Sequence, residues 1–111
     1  MIRGAVYRVD LGDAKRGHEQ KGKRLGVCLS SAPLGWSTVT VAPTSTSAQD
    51  AVFRPRLTIG GRSTVVLVDQ VRTLDLRYVF GDPVDYLTHT DLGQVDYALG
   101  LYLGLKITPD W

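Results

Sequence analysis

Thr58-Ile59-Gly60-Gly61-Arg62-Ser63-Thr64-Val65-Val66-Leu67-Val68 is the stretch that decides the fold class. Two adjacent glycines form a hairpin turn between two strand-like runs. The second run, 63–68, is the most β-like in the chain. Its Val65-Val66-Leu67-Val68 segment has no polar alternation, which implies a strand buried on both faces. The run before the turn, 53–59, reads as a strand interrupted by Pro55.

Working outward toward the N-terminus, residues 5–11 alternate apolar and polar from Tyr7, as a half-buried strand does. Gly12-Asp13 breaks that strand. A polar loop follows, Arg16-Gly17-His18-Glu19-Gln20-Lys21-Gly22-Lys23-Arg24, and runs into the apolar strand Leu25-Gly26-Val27-Cys28-Leu29-Ser30. Arg24 stands where the loop gives way to the strand, so a fixed backbone can aim its guanidinium at whatever the loop covers. Residues 31–37 hold Pro33 and Gly35 and read as a connection. The β-branched run 38–42 is a further strand, with Pro43 ending it or marking an edge. Thr44-Ser45-Thr46-Ser47 is a hydroxyl cluster without apolar periodicity.

Toward the C-terminus, residues 69–74 lead away from the central strand. A strand or turn near 77–80 leads to Gly81-Asp82-Pro83. The last element is helical, with Thr88 as cap and Asp91 in the first turn. Leu92, Val95, Leu99, Tyr102 and Leu103 form one apolar stripe. Gly93 and Gly100 each weaken this helix by roughly 1 kcal/mol relative to Ala, so packing must hold it, and Gly104 is its stop. Short strands followed by one helix predict a mainly β protein: a twisted sheet rolled into a small barrel and closed by the C-terminal helix.

The 111 residues are expected to form a single domain, 1–111, with one core. No apolar run reaches the roughly 20 residues that cross a bilayer, and the first residues lack the apolar core of a signal peptide. With a lone cysteine, Cys28, set between Val27 and Leu29, the expectation is a cytoplasmic protein whose thiol is buried rather than nucleophilic. The formal net charge of +2 is unevenly spread. Residues 1–24 carry seven Lys/Arg against three acids, whereas residues 75–111 carry two against six. The basic surplus lies in and before the opening loop and suits an anionic partner such as a phosphate backbone. No His, Cys or carboxylate spacing suggests a metal site, and no cofactor is expected.

The blocks Arg3-Gly4-x-Val6-Tyr7-x-Val9-Asp10-Leu11, Gly17-His18-Glu19-Gln20-x-Gly22-x-Arg24, Val41-x-Pro43-Thr44-Ser45, Leu67-Val68-Asp69-Gln70-Val71-Arg72-Thr73-Leu74 and Leu99-x-x-x-Leu103-Gly104-Leu105 occur in this order over nearly the whole chain. In that ordered set the chain resembles the MazF/PemK-type toxins, the endoribonuclease half of type II toxin–antitoxin pairs, and looks closest to an actinobacterial, mycobacterial-like branch. The resemblance implies an SH3-like β-barrel with a C-terminal helix, a homodimer, RNA as substrate, and a cognate MazE-like antitoxin whose C-terminal segment inhibits. It implies metal-independent, sequence-selective cleavage of mRNA, tRNA or rRNA. The ribose 2′-hydroxyl would attack phosphorus and leave a 2′,3′-cyclic phosphate and a 5′-hydroxyl.

By the same resemblance Arg24 falls on the catalytic arginine, and Ser45 falls where the family usually has threonine. Thr44 or Thr46 takes that role if the register shifts by one. His18 and Asp69 fall on the base and acid of the PemK/Kid branch. That branch has an arginine two residues before the aspartate, where this chain has Leu67, so Asp69 is either catalytic or a structural carboxylate in the turn. Glu19, Gln20, Lys21, Lys23, Thr44, Thr46 and Gln70 are the expected RNA contacts. Two other readings stay open: a non-enzymatic CcdB-like gyrase poison, although Pro109-Asp110-Trp111 shares only tryptophan with that tail, and a catalytically inactive SH3-like RNA-binding module.

Overall fold

The structure, a computed structural model, describes residues 2–12, 22–31 and 37–105. Seven strands and one α-helix are built from them: β1 (Ala5–Asp10), β2 (Lys23–Cys28), β3 (Thr38–Ser45), β4 (Arg56–Ile59), β5 (Arg62–Val66), β6 (Arg72–Asp75), β7 (Val79–Tyr86) and α1 (His89–Leu103). Short 3-10 turns at Val68–Gln70 and Leu76–Tyr78 flank β6. Every pairing is antiparallel, and the sheet runs β4-β5-β3-β2-β1-β7, with β6 also on β3. The sheet curls into a half-barrel with α1 across it, the expected mainly β architecture of the SH3-like kind.

The deciding hairpin forms as read. Ile59 pairs with Arg62 across Gly60-Gly61, whose φ values of 57° and 79° are both in the left-handed region. L side chains rarely adopt that conformation, so glycines are needed there. Val65, Val66, Leu67 and Val68 are all buried. The first strand of the pair is shorter than the sequence suggests. Residues 51–54 form a tight bridged turn before Pro55, and β4 starts at Arg56.

The strands β1, β2 and β3 bury both faces. One face carries Val6, Val27 and Ala42 against Val95 and Ala98 of α1. The other carries Tyr7, Val9, Cys28 and Val41 against Leu74 of β6. Adjacent residues thus point into two cores, as the period of two requires. Cys28 lies in the second core, where burial pushes its thiol above the ordinary range.

Pro43 neither ends β3 nor lies on an edge. Strand β3 continues through it to Ser45, and Pro43 is the point where pairing changes hands. Up to Pro43 the partner is β2 through Gly26, and from Thr44 it is β5 through Val66. A residue without an N–H is tolerated where one ladder stops and another begins. Similarly, Gly81-Asp82-Pro83 does not close a strand but lies inside β7. Arg8 pairs with Phe80 and Val6 with Asp85, so residues 81–84 bulge opposite Tyr7.

The helix begins and ends as predicted. Thr88 Oγ1 accepts from the Asp91 N–H (3.0 Å), and the Gly104 N–H closes the C-terminus onto Gly100 and Leu101 carbonyls. Packing holds the glycine-weakened interior through buried Val95 and Ala98, with Leu92 and Leu99 half-buried. Gly4 has φ of 90°, and a Cβ on it would come within 3.2 Å of Leu92, so the Arg3-Gly4 pair is where β1 admits the helix. Arg3 adds a fork onto Asp96, which holds its guanidinium above the ordinary range. The apolar stripe is shorter than the sequence implies. Tyr102 and Leu103 are exposed because the core ends near Leu99, and Tyr102 instead meets the Phe53 ring at 5.3 Å.

Candidate active site

Strand β2 carries the two basic residues of the loop–strand junction. Lys23 is opposite Asp10 and Arg24 opposite Val9 on β1, both exposed at the open end of the sheet. Their backbone is pinned by the β1 ladder and by Leu11 N–H to the Gly22 carbonyl (2.9 Å). The next pair inward is Arg8 with Leu25, and on its other side Arg8 pairs with Phe80 of β7. Phe80, Arg8 and Leu25 therefore form one row across three strands. Together with Val9, Lys23 and Arg24 they line an open cavity of about 460 Å³.

The hydroxyl cluster arrives from the other side of β2. The β2–β3 ladder ends with Gly26 opposite Pro43. One contact carries on past it, where Thr44 Oγ1 donates to the Leu25 carbonyl at 2.7 Å. Thr44 is buried and its proton is committed to that bond. Ser45 ends β3 only 6% exposed, and its oxygen accepts from the Ser47 and Ala48 N–H groups at 3.2 and 3.0 Å. The hydroxyl holds an ST-turn and also lies 3.5 Å from the Ser47 hydroxyl. Thr46 is exposed beyond it.

Asp69 lies elsewhere, in the 3-10 turn that follows β5. Arg54 Nε and Nη2 donate to its two oxygens at 2.9 and 2.7 Å, a bidentate pair with the side chains only 19% and 14% exposed. Donating to Asp69 raises the Arg54 guanidinium above its ordinary range, against the opposing effect of burial. Arg54 Nη1 also donates to the Gln49 carbonyl, tying the loop after Ser45 to the same corner. Gln70 is half-buried, with its N–H on the Leu67 carbonyl (2.9 Å). Among the described residues, no cluster of three or more His, Cys, Asp or Glu that could hold a metal ion is assembled.

Thus Thr44 is held against β2 through Leu25, the neighbour of Arg24, and Ser45 follows it at the end of β3, whereas Asp69 and Gln70 lie in the 3-10 turn after β5. His18, Glu19, Gln20 and Lys21 lie outside the described residues. Sequence reasoning missed three residues. Arg8 interrupts the apolar positions of β1, a signal that was legible. Phe80 and Arg54 became visible only through strand register and the ion pair.

The chain is thus a curled antiparallel half-barrel with a helix across it and a cationic cavity at the start of its second strand. Residues 2–103 match the family of PemK-like, MazF-like toxins of type II toxin–antitoxin systems, and the chain belongs to that family. It is 60% identical over 105 residues to the candidate toxin Rv3098A of Mycobacterium tuberculosis, covering 95% of this chain and 99% of that one. An endoribonuclease of mycobacterial species, solved with its cognate antitoxin, matches in structure with a TM-score of 0.78 over 97% of this chain and 99% of its own; at 21% identity this likeness concerns the fold. A MazE–MazF complex from Deinococcus radiodurans contains a chain 27% identical with a TM-score of 0.73, covering 94% of this chain and 96% of that one. No helix among the described residues is long and apolar enough to cross a membrane.

Proposed function

We propose that this protein is a metal-independent endoribonuclease that cleaves RNA within a toxin–antitoxin pair. The observation that carries the reading is the position of Arg24. It stands on a strand pinned by the β1 ladder, at the rim of a cationic cavity, next to Leu25, whose carbonyl holds the Thr44 hydroxyl that precedes Ser45. In this reaction the 2′-oxygen loses its proton and bonds to phosphorus, and the bond from phosphorus to the 5′-oxygen breaks. The leaving oxygen takes a proton. Products are a 2′,3′-cyclic phosphate and a 5′-hydroxyl.

Arg24 stabilises the charge that builds on the phosphoryl oxygens, for which its planar fork suits two oxygens at once. Ser45, whose oxygen already accepts two N–H groups, donates its O–H to the same phosphate. His18 takes the 2′ proton, a role an imidazole fills near neutral pH. Both oxygens of Asp69 bind Arg54, so Asp69 holds the turn and solvent protonates the leaving 5′-oxygen. Lys23 contacts the flanking phosphate, and Glu19, Gln20, Lys21, Thr46 and Gln70 line the path of the strand. Thr44 acts through Leu25, by fixing β2.

The working form is a homodimer held by an apolar surface such as the last turn of α1, where Leu101, Leu103 and Leu105 are exposed. The inhibitor is a MazE-like antitoxin whose acidic C-terminal segment folds over the basic loop in competition with RNA. The test is incubation of purified protein with total RNA in EDTA, followed by mapping of 5′-hydroxyl ends. Defined cleavage sites that vanish with Arg24→Ala support the reading. Intact RNA, with gyrase-dependent DNA breaks in its place, overturns it.

A further inference from the structure

We infer that the cavity between β1, β2 and β7 is a nucleobase subsite. The ring of Phe80 would be its stacking face, and Arg8 and Lys23 would hold the phosphates on either side. The inference rests on the RNA-cleaving reading and adds to it a substrate contact in a strand remote from the toxin motifs of the sequence.

Three observations support this inference. First, the exposed apolar lining comes from Leu25 and Phe80, Val9 being fully buried in the second core, and Phe80 is 43% exposed on an edge strand. Second, the other lining residues among those described, Arg8, Lys23 and Arg24, are all cations. Asp10 sits opposite Lys23 in the ladder, but its Oδ1 accepts from the Gly12 N–H at 2.8 Å and caps the turn. Third, the row Phe80–Arg8–Leu25 is fixed by two ladders, so these three residues are neighbours across the strands.

A flat apolar ligand with an anionic group beside it satisfies all three, and a nucleotide of single-stranded RNA is such a ligand. The volume of about 460 Å³ lies within the roughly 300–1,000 Å³ of clefts that take small organic groups. Arg24 belongs to the neighbouring row with Val9 and also lines the cavity. The stacked base would therefore adjoin the phosphate on which Arg24 acts. An acidic peptide with aliphatic anchors also meets an apolar floor and cationic rim, but it does not need a π-face.

That difference sets the experiment. A short mixed-sequence 2′-O-methyl oligoribonucleotide, which cannot be cleaved by 2′-oxygen attack, carries 2-aminopurine as a fluorescent base and is titrated with the full-length protein. Phe80→Leu keeps apolar volume and loses the ring, and Phe80→Tyr keeps the ring. Phe80→Leu is expected to weaken binding on the order of tenfold and to lose the quenching of the base, and Phe80→Tyr to retain both. Arg8→Gln is expected to lower the slope of log affinity against log salt by about one, while Phe80→Leu leaves the slope unchanged. Equal RNA affinity and quenching in folded Phe80→Leu and in the parent protein overturn the inference, as does loss of affinity only for an acidic peptide. The outcome is separate from the cleavage reading. A protein that quenches through Phe80 yet leaves RNA intact keeps the subsite and loses the nuclease. One that cleaves equally with leucine at position 80 does the reverse.

Discussion

The corner built by Arg54 and Asp69 and the cavity rimmed by Arg8, Lys23 and Arg24 use the same kind of side chain to opposite ends. In the corner a guanidinium meets a carboxylate in a fork, mostly removed from solvent, and its third nitrogen ties a loop carbonyl. Its charge is satisfied by the protein itself, and that serves stability. In the cavity three cations, Arg8, Lys23 and Arg24, are lining residues together with Leu25 and Phe80. Bringing like charges together raises the free energy of the folded chain unless an anion is drawn in. The corner arginine keeps the structure in place, whereas Arg8 and Lys23 present exposed positive charge beside an open cavity. Charge sign alone does not separate them; the register of the strands does.

The largest expected effect lies on the cavity side. Arg24→Ala should reduce RNA cleavage by a hundredfold or more, through lost stabilisation of phosphate charge, while circular dichroism and the melting temperature stay near those of the parent. A folded variant that cleaves normally would place the catalytic charge elsewhere. Ser45→Ala should come next on activity and should be more damaging than Thr46→Ala, with Ser45→Thr active. An inactive Thr46→Ala beside an active Ser45→Ala would mean that the register assigned to the hydroxyls is off by one.

On the corner side the effect should appear in stability. Arg54→Ala leaves a half-buried carboxylate without its fork and should cost roughly 2–3 kcal/mol in urea unfolding. The double variant Arg54→Met/Asp69→Leu should recover part of that loss, because it removes both charges together. Additive losses would show that the two side chains do not act as a unit. If Asp69 were the catalytic acid, that double variant would also be inactive despite its recovered stability. The smallest effect belongs to the cationic wall. Lys23→Gln should change stability by less than about 0.5 kcal/mol and lower the salt dependence of RNA binding by about one charge. A stability loss as large as that of Arg54→Ala would erase the contrast.

A further check concerns the second core. Burial raises the Cys28 thiol, so the neutral form is favoured in the folded chain. That contribution is complete below the unfolded thiol range and is lost as pH rises through the folded value. Native protein should therefore resist iodoacetamide at mildly alkaline pH and react only once denatured. Rapid alkylation of the native chain would mean that this core opens readily.

The hairpin at Gly60-Gly61, the two-faced burial of the Val65 run, the Thr88 cap and the Gly104 stop were all legible in the sequence. Each rests on residues a few positions apart, and local sterics, hydrogen bonding and periodicity decide them. So was the loop–strand junction at Arg24. What the sequence left open depended on partners far along the chain. Pro43 lies within a strand because β3 exchanges β2 for β5 there, and no local rule foresees a change of neighbour. The stripe on α1 ends before Tyr102 because the core beneath it ends. Asp69 is held by Arg54, fifteen positions away, and Phe80 meets Arg8 only because β7 returns beside β1. Strand pairing is non-local, so the residues it sets side by side share no sequence period. Only the closed sheet decided which charges neutralise one another and which face outward together.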